Sequence, residues 1–478
     1  MSSAPTTIPS WIGGKEEFAS VTFAVTDPST GEVCWEVSSV SEQDARRVAD
    51  TAQAAFPAWA ATKPLARQAI LFKAADLMEE RADDLVAYMC TEMGTDAGTA
   101  RQLIVGLAIT MMRDIACRIC EVCGTVPRLG NDGQSCMVWK EPYGVVLGIV
   151  PWNAPYVFGV RAAATAIATG NTAILKSSEM TPRCYWALGR LFHDAGVPAG
   201  VVNVVCCRRT DAPSVVNAMI EHPAVKKVNF TGSASVGRKV AQHCGLHLKP
   251  TLLELGGKNS AIILPDADLQ KAAQDCLIGA FANSGQICMS TDIIIVHKDI
   301  ANEFLQTLKQ TATAMQDSSE SLPVVVSSSA VSRIAAMIED ATKKGGEVFH
   351  GGLPPPGQKT AQVIPTVIGG VSNDMILWTE EAFGPLVGYR LFSAEGEAVK
   401  LANSQGYGLS ASVFTRDLRK AFALARMLAS GQVHINSMTV NGAEGVPFGG
   451  VKNSGWGRFN AKEGMEEFLT TKTVTWDD

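Results

Sequence analysis

Charge is sparse in this chain of 478 residues. Only 18% of it is Asp, Glu, Lys or Arg, and 41 basic against 47 acidic residues leave a net charge of −6. A mildly acidic surface lacks the clustered Lys and Arg that neutralise phosphates, so no nucleic-acid partner is expected. Long apolar runs are missing too: each is interrupted by Gly, Asn or charge, short of the roughly 20 residues a membrane-crossing helix needs. The opening MSSAPTTIPSWIGG has no cationic segment followed by an apolar one, so a secretory leader is not expected and the cytoplasm is the expected compartment.

Histidine is scarce. His243 and His247 stand alone as a close pair, without a second pair of Cys or His, and no metal site is expected. Twelve cysteines scattered over this length are no disulfide scaffold, which would be short and dense. Their one dense group is CRICEVC, with Cys117, Cys120 and Cys123 at every third position. It lacks the fourth cysteine at set spacing that iron–sulfur ligation wants, Pro127 standing there instead, and it reads as one apolar helix face. Two nucleotide fingerprints are absent. No G-x-G-x-x-G follows a strand, and VNFTGSASVGRK spaces Gly232 and Gly237 like a P-loop but continues with Arg238 and Lys239, which disfavours ATP or GTP hydrolysis.

What is present describes a large globular protein. Hydrophobic residues make up 46% of the chain, enough for a sizeable core, and the length points to two or three domains. From Glu42 to Cys123 the pattern is helical, opening on a Ser41 cap and continuing through a long amphipathic run, RQAILFKAADLMEERADDLVAYM. The period then changes to alternating strands and helices between residues 135 and 232, with strands apolar throughout, such as GVVLGIV. That alternation predicts a doubly wound parallel sheet covered on both faces, with ligand sites at the carboxyl ends of its strands. A second alternation after GGKNSAIIL predicts a second α/β domain, with DSSESLPVVVSSS and GGLPPPGQK as surface connections. The tail, EEFLTTKTVTWDD, reads as an exposed strand in want of a partner.

The chemistry concentrates in three stretches. After the strand VNFTG, the helix N-terminus at Ser233 can hold a pyrophosphate through its free amides and hydroxyl. In LLELGGKNS, Glu254 interrupts an apolar segment, and burial would raise its pKa toward the range of a general base. Cys288 lies 34 residues further on, in the NSGQICMS turn of small residues, where a thiol and a backbone amide can address one substrate oxygen. Thiol and carboxylate together suggest a thioester intermediate followed by base-assisted hydrolysis. A hydrolase could use the same pair; the nucleotide site favours oxidation.

PWNAP (151–155), ILKSSE (174–179), FTGSASVG (230–237), LELGGK (253–258), GQIC (285–288), EEAFGP (380–385) and PFGGVKNSGWGR (447–458) occur in the order of the NAD(P)-dependent aldehyde dehydrogenase superfamily. The chain resembles that family along essentially its whole length. The resemblance implies an α/β fold with a Rossmann-type cofactor domain (1–123 and 143–255), an α/β catalytic domain (256–458) and a small β bridging element for oligomerisation (124–142 and 459–478). It also implies Cys288 as nucleophile, Glu254 as base, and Asn153 with the Cys288 backbone N–H as oxyanion hole. For the cofactor, taken to be NAD, it implies Lys176 and Glu179 at the adenosine ribose. Gly232 and Ser233 match the pyrophosphate site, with Trp152 and Gly256 at the cleft and Glu381 and Phe383 at the nicotinamide ribose and ring.

The same resemblance places Ala154, Val157, Phe158, Arg161, Ile287, Met289 and Phe448 along the substrate tunnel. Arg161, GQICMST and VHIN (433–436) resemble the salicylaldehyde and vanillin dehydrogenase branch, which implies an aromatic aldehyde whose phenolic or carboxylate oxygen meets Arg161. Pairing of Arg161 with a nearby acid is the plainer reading. Small Ala154 and Gly442 leave room for a bulky aliphatic or terpenoid aldehyde instead. Phe459 stands where many members carry Glu, which removes a second proton relay and favours Glu254 as base. A non-catalytic member of the fold would usually lose its nucleophile or base, and both are present. A homodimer or homotetramer is implied, the tail strand covering its edge across subunits.

Overall fold

The computed structural model describes residues 6–130, 132–319, 321–354 and 360–477. The two connections expected at 317–329 and 351–359 fall partly outside these residues, at 320 and 355–359.

The first large sheet takes its strands in the spatial order Gly455–Trp456, Thr251–Leu255, Val225–Gly232, Val145–Ile149, Thr172–Lys176, Val202–Val205, Ser10–Ile12 and Lys15–Glu17. The five from Thr251–Leu255 to Val202–Val205 are parallel. They are almost wholly buried because helices cover both faces. On one side pack helices Pro64–Glu80, Ala82–Met93, Gly106–Arg118, Pro155–Ala168 and Pro182–Ala195; on the other lie Glu42–Ala60, Ala212–Glu221 and Ala234–Leu246. Every residue of Pro155–Ala168 is buried, which its apolar and small side chains permit at all positions but one, Arg161.

Local signals account for the helix ends. Ser41 caps Glu42–Ala60 through a reciprocal pair with Asp44, so two otherwise unpaired amides are satisfied. Glu92, fully buried, accepts the Arg183 and Cys184 N–H groups at 2.8 and 3.1 Å and so caps Pro182–Ala195 from another helix. The amphipathic run expected to be continuous from Arg67 to Met89 breaks at Arg81, whose guanidinium turns to Asp194 at 2.8 Å.

A second sheet orders Glu347–His350, Thr366–Gly369, Leu386–Phe392, Thr291–His297, Asn259–Ile263, Ser410–Phe414 and Gln432–Ile435, parallel except for its first strand. Helices Leu269–Phe281 and Ala301–Asp317 cover one face, Ser328–Lys343, Glu395–Asn403 and Leu418–Met427 the other. The chain passes from the first sheet to the second through Gly256–Lys258 and touches the first again at Gly455–Trp456. A three-stranded sheet near the amino end and a separate ribbon complete the topology. In the ribbon the tail strand, Leu469–Asp477, pairs antiparallel with Gln134–Pro142 along its length.

The CRICEVC reading needs correction. The helix ends at Arg118, a tight turn over Ile119–Glu121 shifts the phase, and Cys117, Cys120 and Cys123 are all exposed. Three-residue spacing makes one face only while the helix lasts.

Candidate active site

The order of the first sheet reverses between Val145–Ile149 and Val225–Gly232, so the loops that follow these neighbouring strands diverge and leave a crevice at their carboxyl ends. A cavity of about 560 Å³ occupies it. Of the expected cofactor residues, Trp152, Gly232, Ser233, Gly256, Glu381 and Phe383 line this cavity, together with Asn153, Glu254 and Cys288. Lys176 and Glu179 do not: they lie at and beyond the end of strand Thr172–Lys176, beside Cys206 and Cys207.

Each wall has a local cause. Ser233 is the N-cap of Ala234–Leu246, its hydroxyl accepting the Val236 N–H at 3.4 Å, and the first turn of this helix borders the cavity, where its remaining amides could receive an anion. A Cβ at Gly256 would run into the Glu381 carboxylate, which accepts the Gly257 N–H at 3.0 Å. Burial, reinforced by the negative Asp292, pushes the Glu381 carboxyl up to about 8. Asp292 is itself tied to Lys258 at 3.1 Å, both fully buried. Phe383 adopts φ 44°, a strained left-handed backbone, with its ring edge-on to Trp152 at 5.5 Å. Arg333 holds that bend by donating to the Glu381 and Phe383 carbonyls at 3.1 and 3.2 Å. No motif marks Arg333 in the sequence.

Cys288 is positioned by an unusual turn. Asn283, Ser284 and Gly285 take φ of 50°, 56° and 68°, and a Cβ at Gly285 would meet the Gly384 carbonyl. Two non-glycine residues in the left-handed region cost roughly 1–3 kcal/mol each, offset by a buried network. Asn283 accepts from Thr95 at 2.9 Å and donates to the Asn153 carbonyl at 3.1 Å, while the Asn153 amide donates to the Gln286 carbonyl at 2.9 Å. Asn259 donates to the Cys288 and Ser290 carbonyls at 2.9 and 2.8 Å. The Asn-Ser-Gly sequence is the signal that could have shown this turn, since Asn and Gly tolerate positive φ best. One N–H of the Asn153 amide stays free, and the Cys288 backbone N–H meets no protein acceptor among the described residues. Both suit a developing oxyanion.

Glu254 sits in strand Thr251–Leu255, opposite Thr231, with no exposure and neither carboxylate oxygen in a formed hydrogen bond. Burial raises its pKa; the Arg161 cation, and to a lesser degree the Cys288 thiol and Thr231 hydroxyl, pull it part of the way back. The thiol of Cys288 is pushed well above its ordinary range by burial and then by the Glu254 charge, with Arg161 opposing. Thiol, carboxyl and guanidinium form one electrostatic unit in which a proton lost by one is felt by the others.

A second cavity, about 570 Å³, meets the first at Asn153, Phe158 and Cys288. Its lining includes Ala154, Val157, Phe158, Arg161, Ile287, Met289 and Phe448, together with Gly442. Gln102, Leu103 and Ile104 also face it, from a π-helical stretch over Ala100–Val105 that no sequence pattern announced. Arg161 is 6% exposed and has no carboxylate within ion-pair distance among the described residues, so the plainer reading of a direct ion pair is not met, although Glu254 acts on it over a longer distance. It is caged instead by the rings of Phe448, Phe459 and Phe158 at 4.6, 5.2 and 5.4 Å, and its Nε has no hydrogen-bond partner. Phe459 reaches this wall because it pairs with Phe448 through two backbone hydrogen bonds, of 2.8 and 2.7 Å.

Known proteins are similar to this chain over nearly its whole length. The chain is 41% identical to a vanillin dehydrogenase of a Pseudomonas species, over 98% of this chain and 97% of that one. It is 36% identical to an NADP(+) succinate-semialdehyde dehydrogenase of Deinococcus radiodurans, over 95% and 94% of the two chains. The crystal structure of a salicylaldehyde dehydrogenase from Pseudomonas putida, complexed with salicylaldehyde, superimposes with a TM-score of 0.95 at 32% identity, covering 99% of this chain and 98% of that one. Residues 15–474 match the aldehyde dehydrogenase family. A buried thiol and carboxyl between two cavities, on a fold shared from end to end with these oxidoreductases, show that the chain belongs to the aldehyde dehydrogenase family.

Proposed function

We propose that this enzyme oxidises aromatic aldehydes of the vanillin, salicylaldehyde or benzaldehyde type to their acids with NAD, by covalent catalysis at Cys288. The observation that carries this reading is the place of Cys288, at the junction of a crevice ending in a helix N-terminus and an apolar cavity holding an unpaired guanidinium. The names of the relatives point the same way.

The aldehyde enters the second cavity with its carbonyl at Cys288. Glu254 takes the Sγ proton, the sulfur bonds to the carbonyl carbon, and the resulting oxyanion is received by the free Asn153 N–H and the Cys288 backbone N–H. Each such donor is worth about 3 kcal/mol in related chemistry. The dinucleotide, when bound, supplies the hydride acceptor. Glu381, Phe383 and Trp152 would hold its nicotinamide end and Gly232 and Ser233 its pyrophosphate, a fit supported by the capped helix N-terminus and the room left by Gly256. Glu254 then passes the Sγ proton to solvent, so that, once the carbon is a thioester, it takes a proton from the attacking water and returns it to the departing sulfur, which releases the acid and restores the thiol. A carboxyl with raised pKa suits this double use, since it takes protons readily near neutral pH.

Lys176 and Glu179 are assigned to the adenosine ribose hydroxyls. A carboxylate there repels a 2′-phosphate, which favours NAD over NADP. The aliphatic part of the lining, Leu103, Ile104 and Leu107, supports a bulky aliphatic or terpenoid aldehyde as the second reading. We assign a homodimer or homotetramer built on the ribbon, whose tail strand has no second partner strand among the described residues and whose Trp139 and Trp476 are 46% and 41% exposed. No helix among the described residues is long and apolar enough to cross a membrane, and all twelve cysteines are free thiols, which suits the cytoplasm.

Following reduced nicotinamide by absorbance, with benzaldehydes, alkanals and terpenoid aldehydes against NAD and NADP, tests the whole assignment. Hydroxylated benzaldehydes with NAD should give the highest kcat/KM. Highest values with alkanals would remove the aromatic assignment, and equal values with NADP would remove the role given to Glu179.

A further inference from the structure

The helix Ala234–Leu246 begins at the first cavity and carries its far end about 18 Å away. There His243 and His247, one turn apart, stand with ring centroids at 5.0 Å. The sequence alone shows them without a third ligand. The fold supplies one: Glu221, the last residue of the neighbouring helix Ala212–Glu221, brings its Oε1 to 3.4 Å from His243 Nε2. One ligand atom from each of Glu221, His243 and His247 lies within 4.8 Å of the others, the one such group of His, Cys, Asp or Glu among the described residues.

Several features set this group apart from an ordinary surface ion pair. His243 Nε2 is shielded from solvent yet makes no formed hydrogen bond with the carboxylate beside it, so two electron-rich atoms point toward a common position. The other carboxylate oxygen, Oε2, is held by Arg46 at 3.2 Å, which fixes the group while leaving Oε1 toward the imidazoles. The neighbouring Lys249 ammonium is turned away to the His222 carbonyl at 2.6 Å. The 3.4 Å separation also matches the edge of a tetrahedron of ligands around zinc; metal–ligand distances of about 2.0–2.1 Å give an edge of about 3.3–3.4 Å. His247 is exposed, and its ligand atom already lies within 4.8 Å of the other two.

We propose that Glu221, His243 and His247 form a site for a divalent transition-metal ion of the zinc class, separate from the catalytic centre. Two imidazoles and one carboxylate suit Zn²⁺, Co²⁺ or Ni²⁺, with water completing the shell; Ca²⁺ and Mg²⁺ prefer all-oxygen sets, and Cu⁺ prefers sulfur. The ion ties the end of helix Ala212–Glu221 to the end of the helix whose first turn lines the dinucleotide crevice.

The test uses full-length protein stripped with chelator and titrated with Zn²⁺ by calorimetry, on a background in which Cys117, Cys120 and Cys123 are Ser so that exposed thiols do not compete. One ion per chain is expected. Changes around a metal's ligands alone cost roughly 10–100-fold in affinity, so His243→Gln and His247→Gln should each weaken binding at least about tenfold. His247 is exposed, so its variant should keep the parent's melting temperature without metal and read binding alone. Absence of stoichiometric binding in the parent, or unchanged affinity in the folded His247→Gln variant, would overturn the site.

Discussion

Replacing Arg161 with Met separates two roles that the structure gives one side chain. The guanidinium is buried, without a carboxylate at ion-pair distance among the described residues, and faces the second cavity from a cage of three phenylalanine rings. If it receives a ring oxygen of the aldehyde, that charged hydrogen bond is worth about 1.5–3 kcal/mol. Its loss should lower kcat/KM for hydroxylated benzaldehydes by roughly 10- to 100-fold relative to benzaldehyde. The second role is electrostatic. Arg161 draws the Glu254 and Cys288 pKa values down against the upward push of burial. Without the cation both groups hold their protons more tightly, so the rising limb of activity should move to higher pH, and by the same amount for every aldehyde. Steady-state rates across pH with matched hydroxylated and plain substrates measure both effects. Met fills the cage with similar volume and removes a buried unpaired charge, so little stability should be lost. An equal fall for both aldehydes at the pH plateau would refute recognition by Arg161, and an unmoved limb would refute the electrostatic coupling.

Other outcomes follow from the same geometry. Cys288→Ala should abolish turnover, whereas replacing Cys117, Cys120 and Cys123 together with Ala should leave kcat/KM nearly unchanged, since all three are exposed away from both cavities. Asn153→Ala should lower kcat by about 10²–10³ through loss of one oxyanion donor, and it should also loosen the turn that Asn153 shares with Asn283 and Gln286; an effect on KM alone would count against the oxyanion role. Glu92 is raised by burial from 4.5 to about 8, so the folded state binds the extra proton and the stability it contributes is lost as pH rises toward 8. Thermal unfolding of Glu92→Gln should therefore lack a fall, on the order of a few kcal/mol, that the parent shows between pH 5 and 8; parallel curves would mean that Glu92 stays ionised.

Much of this protein was decided by local rules that a sequence displays. The Ser41 cap, the apolar strands of the first sheet, the capped turn at Ser233 and the β-forming tail each depend on neighbours a few residues away, so pattern and composition suffice to find them. Ordered motifs likewise pointed to Cys288, Glu254 and Asn153, which the fold brings to one cavity. Tertiary structure decided what depends on company from distant parts of the chain. Whether a buried guanidinium pairs with an acid or stands among rings depends on Phe448 and Phe459 arriving from nearly 300 residues away. Whether two histidines remain a pair or become three ligands depends on where the helix Ala212–Glu221 ends. The exposure of Cys117, Cys120 and Cys123 depends on one tight turn that ends a helix. Periodicity records which face of an element is apolar, but only packing determines which charges share a low-dielectric space, and there the pKa values of thiol and carboxyl are set.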